Sequence, residues 1–179
     1  MANYSTHDED LVSQVRRTIR SMAKRRNYRE IDHDKYCDEN GESVNIVWEL
    51  TSARVSVKTI RTICSEAVHS KASKLILVSI GKLTTFAAQE TKNMRDIQIE
   101  TWQLSDLSIN PELHELVPPH EILNSKRTKQ RGIKSPSELP KMQGTDMMAR
   151  FLGAKKGDVI EIKRTHPEGH YYIVHRVVV

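Results

Sequence analysis

The stretch from Glu138 to Val179 limits the fold more tightly than any other part of this chain, because its turn residues stand at intervals that admit few structures. The spacing predicts one helical turn and then a β-hairpin. Thr145 is placed to cap the turn, and Asp146 suits its positive N-terminal end. Met148, Phe151 and Leu152 give the turn an apolar side, and Gly153 stops it in the left-handed conformation. Lys156-Gly157-Asp158 then turns the chain into a strand over 159–164. His166-Pro167-Glu168-Gly169 turns it again into a last strand over 170–178. That last strand is apolar on both faces up to Val179, which predicts burial of the chain's end or docking on another protein.

With 179 residues, 37% of them apolar, the chain can form one ordinary domain or two small ones. No apolar run is long enough to span a membrane. Asp8-Glu9-Asp10 stands where a signal peptide would carry its apolar core, so none is expected. Cys37 and Cys64 form no CxxC pair and read as two reduced thiols. The formal charge of +5 is unevenly placed. Residues 1–110 carry 16 Lys+Arg against 15 Asp+Glu, whereas residues 111–179 carry 12 against 8. The surplus centres on Lys126, Arg127, Lys129, Arg131 and Lys134, a run that suits phosphate contact or a merely solvated face.

Ahead of this region the pattern is that of an α/β layer. Thr6-x-x-Glu9 is a capping box, and Leu11, Val12, Val15, Ile19, Met22 and Ala23 predict a helix over 8–26. Residues 30–42 read as acidic and irregular. A strand is expected over 44–50 and a helix from Val57 to Val68. A buried strand follows over 74–80, then a break at Gly81. A third helix, capped by Thr84 or Thr85, runs to about Asn93, and another strand covers 97–103. The prolines at 111, 118 and 119 mark a boundary, giving domains 1–110 and 111–179, the second rich in short strands. Residues 124–137 read as a polar surface excursion.

Three constellations suggest catalysis. His114-Glu115 with His120 lacks the four-residue spacing of a zinc helix, and Pro118-Pro119 lie between the histidines. Glu161-x-Lys163 has the form used by many metal-dependent nucleases, with Asp146 as a second ligand, but three residue types at loose spacing recur by chance and an ordinary solvated strand face with alternating charge is the preferred reading. His166, His170 and His175 could hold a metal, but no cysteine or close carboxylate stands at ligand spacing, so surface histidines are expected. No Gly-rich phosphate loop is present. No metal, cofactor or small-molecule substrate is therefore expected.

Leu113-His-Glu-Leu-Val-Pro-Pro-His-Glu-Ile-Leu123, Leu139-Pro-Lys-Met-Gln143, and Asp146-x-x-Ala149-Arg150-Phe151-x-Gly153-x-Lys155-x-Gly157 resemble one family closely, with Tyr172 to Val178 matching its final strand. It is the small shared jaw and assembly subunit, the fifth-subunit family, of eukaryotic nuclear DNA-directed RNA polymerases, whose C-terminal domain has an archaeal counterpart. The N-terminal part is similar more weakly, through its leading helix, Val57-Lys-Thr-Ile60, Leu75 to Val78 and Gly81. The resemblance implies an α/β N-terminal jaw domain with an inactive nuclease-like fold and a small α+β C-terminal assembly domain carrying the β-hairpin. It implies a subunit with no active site of its own, anchored to the largest polymerase subunit beside other subunits and contacting downstream duplex DNA. The DNA contacts it implies are Lys82, Thr84 and Thr85. The subunit interface it implies comprises His114, Pro118, Arg150, Phe151, Gly153 and Tyr172, with Phe151 and Tyr172 also expected in the core. A nuclear location follows, in the nucleolus if the subunit serves the ribosomal-RNA polymerase, with a viral polymerase as the other setting.

The chain departs from the family in three places. Met147 stands where a Pro usually follows the signature Asp, Leu83-Thr-Thr-Phe-Ala-Ala88 replaces a Thr-Pro-Ser-Ala loop, and the helix expected between the matching blocks is replaced by the shorter, basic Asn124 to Lys134. Two other readings come from different classes: a metal-dependent nuclease using Asp146, Glu161 and Lys163, and a free-standing basic nucleic-acid-binding protein.

Overall fold

The computed structural model describes residues 6–166 and 168–179 and divides the chain into two compact units, one ending at Ile109 and one spanning Asn110–Val179. The first unit contains α1 (Thr6–Arg25), β1 (Arg29–Asp32), β2 (Lys35–Cys37), β3 (Ser43–Glu49) and β4 (Arg54–Val55). It continues with α2 (Val57–His69), β5 (Lys74–Ser79), β6 (Lys82–Leu83), α3 (Thr85–Asn93) and β7 (Gln98–Gln103). Its main sheet has the order β1-β2-β3-β5-β7, in which β3, β5 and β7 are parallel and β1 and β2 form an antiparallel hairpin on the edge. A parallel sheet needs cover on both faces, and this one has it. Ile60, Ile63, Cys64 and Ala67 of α2 and Ala87 of α3 pack with Leu75 and Leu77 of β5. On the opposite face Ile76 and Val78 are equally buried. Glu100 of β7 lies in register with Ile76, and Arg26, just after α1, binds it, which sets α1 on that face with Val15, Ile19 and Met22 turned inward.

Most helix and strand positions agree with the apolar periodicity. The region 30–42 does not: it holds the β1–β2 hairpin. Every residue of β1 is exposed, and β2 buries only Tyr36 and Cys37, so no alternation marked it as a strand. The capping box at Thr6 falls on side chains outside the described residues. No helix among the described residues is long and apolar enough to cross a membrane.

The second unit contains β8 (His120–Leu123), α4 (Ser125–Gln130), β9 (Lys141–Met142), α5 (Met147–Leu152), β10 (Val159–Thr165) and β11 (Tyr171–Val178). Its sheet runs β8-β10-β11-β9, antiparallel except for the β11–β9 pair. Met142, Met148, Ala149, Leu152, Ile160, Ile162 and Val178 form the core. One expectation is corrected here. Residues 124–137 are not a mere excursion, since they include α4, capped by the Asn124 side chain, which accepts from Arg127 N–H at 2.9 Å. The burial expected for the apolar chain end is found within its own unit, up to Val178, with Val179 exposed. Val177 and Val178 are buried, and Val179 N–H donates to Met142 C=O at 3.0 Å. Exposed apolar surface lies instead at the start of β11, on Tyr171, Tyr172 and Ile173.

Candidate functional site

The helical turn α5 is held at both ends by its own sequence. Its cap is Asp146, not Thr145: the Asp146 carboxylate accepts from Met148 N–H at 2.8 Å and Ala149 N–H at 3.3 Å. A carboxylate does this better than a hydroxyl, because its charge also faces the positive end of the turn. At the other end Gly153 sits at φ 71°, and Ala154 N–H reaches back to Ala149 C=O at 2.9 Å, closing the turn with a left-handed cap. So short a helix needs such ends, since it gains little from its own hydrogen bonds.

The capped turn fixes what the side chains of α5 do. Phe151 is 0% exposed, so any part it has in assembly works through the core. Arg150 lies half-buried beside it. The turn packs on β8 and on the 3₁₀ turn Pro111–Leu113, which brings His114 and Pro118 into the same region. His114 is exposed, and its Nδ1 accepts from Leu116 N–H at 3.2 Å. Pro118 C=O accepts from His120 Nδ1–H at 2.6 Å; burial holds the His120 imidazole below its usual pKa, with that hydrogen bond acting against it. Leu113 and Leu116 project from this loop 82% and 83% exposed, an apolar pair that the sequence did not single out.

Tyr172 lies elsewhere, with the hairpin tip. Its ring stands edge-on to His166 at 6.5 Å between centroids, and it is 42% exposed, so the expectation of a core residue is corrected. Only the last residues of β11 reach the buried end of the sheet, which leaves the start of the strand in solvent.

A charged network on the sheet went unseen in the sequence. Glu161 of β10 stands in register with Glu121 of β8 on one side and His175 of β11 on the other. Arg131 Nε lies 2.7 Å from the Glu161 carboxylate, His175 Nε2 lies 3.1 Å from it, and Arg127 pairs with Glu121. Burial alone would raise the Glu161 pKa, but the hydrogen bonds and charges of Arg131 and His175 outweigh it and hold the carboxyl below its usual range. The hairpin face thus carries a second carboxylate, Glu121, next to Glu161.

This network decides against the nuclease arrangement. Asp146 is committed to the α5 cap and Glu161 to Arg131 and His175. Lys163 lies over the Tyr171 ring at 4.0 Å. The three histidines also separate, since His175 belongs to Glu161. Among the described residues, the one group of three metal-ligand side chains brought together is His166, Glu168 and His170.

In the first unit, Lys82 is exposed on β6, which pairs in parallel with β4. Thr84 caps α3, its hydroxyl accepting from Ala87 N–H at 3.2 Å, and Thr85 opens the helix. Gly81 is required just before them. A methyl group in its place would lie 2.5 Å from Ser52 C=O and closer still to Ala53. Phe86, the next residue along, is 77% exposed.

The family description RNA polymerase Rpb5, C-terminal domain, matches residues 109–178. The second unit is therefore the C-terminal domain of a class of RNA polymerase subunits. The chain is 30% identical over 131 residues to the DNA-directed RNA polymerases I, II, and III subunit RPABC1 of Caenorhabditis elegans, covering 71% of this chain and 62% of that one. It is 39% identical over 79 residues to the DNA-directed RNA polymerase subunit Rpo5 of Sulfurisphaera tokodaii, covering 42% of this chain and 93% of the relative. The Rpo5 of Methanothermobacter thermautotrophicus gives 41% over 69 residues, covering 36% and 88%. The chain belongs to the Rpb5 family of RNA polymerase subunits. It spans about 62% of the length of its Caenorhabditis relative.

Proposed function

We propose that this protein is a non-catalytic subunit of a multisubunit DNA-dependent RNA polymerase, with polymerisation carried out by other chains. Residues 111–179 act as the assembly domain and anchor the subunit on the largest polymerase subunit. Residues 1–110 act as a jaw of nuclease-like fold beside incoming duplex DNA, touching phosphate weakly and without base preference through Lys82, Thr84 and Thr85. The nucleus is where such a subunit works.

The observation that carries this reading is the family match over 109–178, which coincides with the compact unit Asn110–Val179. Physical features support it. Leu113, Leu116 and Tyr172 expose apolar surface in the same unit as His114, Pro118 and Arg150, and such surface marks contact with other proteins. Lys82 and the start of α3 offer a cation next to a positive helix end, which suits phosphate. Purification tests the proposal: the tagged full chain should recover two very large polymerase chains in fixed stoichiometry. Recovery of the tagged chain by itself, or retention of the subunit in the polymerase after deletion of residues 111–179, would overturn it.

A further inference from the structure

We propose that the tip of the β10–β11 hairpin is a site for one divalent transition-metal ion, of the Zn²⁺ or Ni²⁺ type, held by His166, Glu168 and His170. This is independent of the polymerase reading. The register of the hairpin creates the site. Thr165 and Tyr171 are the last ladder pair, so His166 and His170 come next, directly across the tip. His166 N–H donates to His170 C=O at 2.8 Å, and Gly169, at φ 87°, turns the chain so that Gly169 N–H meets His166 C=O at 2.8 Å. These bonds are all backbone, so the two histidines stand opposite each other at the tip, and their rings lie 4.3 Å apart.

The donor atoms converge. Glu168 Oε2 lies 3.7 Å from His166 Nδ1 and 3.9 Å from His170 Nδ1, and one donor from each residue falls within 4.8 Å of the others. Ligands bonded at about 2.0–2.2 Å around one tetrahedral ion stand roughly 3.3–3.6 Å apart, so closure needs shifts of only a few tenths of an ångström between carboxylate and rings. The rings are stacked at 4.3 Å and 16°, and they must tilt open to share an ion. Glu168 N–H points at His166 Nδ1 from 3.3 Å, a long hydrogen bond that this nitrogen gives up when it turns its lone pair to the ion. Two imidazoles and one carboxylate are borderline donors that select zinc or nickel over magnesium. The exposed tip leaves water to complete the shell.

Calorimetric titration of the untagged full chain with zinc chloride in magnesium-containing buffer tests this. One ion should bind per chain. His170→Asn and Glu168→Gln should each weaken binding by at least about tenfold, as loss of a direct ligand demands. Glu168 is exposed, so its variant reports on the site without disturbing the fold. Zinc should also raise the melting temperature of the parent and not of the Glu168→Gln variant. An unchanged isotherm in both variants, or no binding by the parent, would overturn the proposal.

Discussion

Glu161 and His175, fourteen residues apart, face each other across the β10–β11 hairpin with His175 Nε2 3.1 Å from the Glu161 carboxylate. Arg131, thirty residues before Glu161, joins them from beyond α4. This hub ties the helix α4 to two strands with ionic contacts where apolar packing is thin, since α4 itself buries no residue. It also makes the second unit sensitive to acid.

The Glu161 carboxyl titrates lower in the folded chain than unfolded, so it adds stability that is fully present above the unfolded value of about 4.3. That stability is lost as pH falls through the folded pKa. Glu161→Gln should therefore lower stability at pH 7 by about 1 kcal/mol. The difference from the parent should vanish below the folded pKa. Thermal melts of both chains across this pH range check the sign.

In the first unit, Glu100 receives both Arg26 nitrogens at 2.7 Å and Trp102 Nε1–H at 2.8 Å, with Lys74 at 3.5 Å. The Arg26 side chain is 3% exposed. Glu100→Ala takes away the partner of a buried cation and should cost about 3 kcal/mol, measured by urea unfolding. An exposed pair, such as Arg61 with Glu90, gives the contrast: Glu90→Ala should change stability by less than about 1 kcal/mol.

Gly81→Ala should destabilise the first unit by about 1–3 kcal/mol, because the added methyl forces β6 away from the Ala53 backbone. Lys82→Glu, one residue on and exposed, should leave the melting temperature unchanged. If the jaw touches DNA there, Lys82→Glu should reduce crosslinking of downstream DNA to this subunit and lower the salt slope by about one unit. Unchanged crosslinking would remove Lys82 from the contact.

Phe151→Ala should unfold or severely weaken the second unit, at a cost of about 3–5 kcal/mol. Tyr172→Ala, at an exposed position, should cost less than about 1 kcal/mol. Arg150→Ala should preserve the circular dichroism of the full chain and weaken its recovery of the largest polymerase subunit. Measuring melting and pull-down for the same three variants separates core from contact. Normal recovery by the Arg150 variant would pass recognition to Leu113, Leu116 and the hairpin.

The sequence by itself determined the elements whose information is local. The spacing of Val15, Ile19 and Met22, the run of β5, the stop at Gly153 and the two turns of the C-terminal hairpin all follow from periodicity and backbone preference. Family membership was also legible, since it rests on contiguous residues from Leu113 to Gly157. Only the tertiary structure decided what depends on register and distance. The exposed β1 lacks an apolar face and becomes a strand only by pairing with β2. Asp146 outcompetes Thr145 as a cap because its charge reaches two N–H groups at once. Strand register, invisible in the sequence, set Glu161 between Glu121 and His175 and separated His175 from the His166–His170 pair, because cross-strand neighbours are chosen by the whole sheet and not by the residues beside them in the chain.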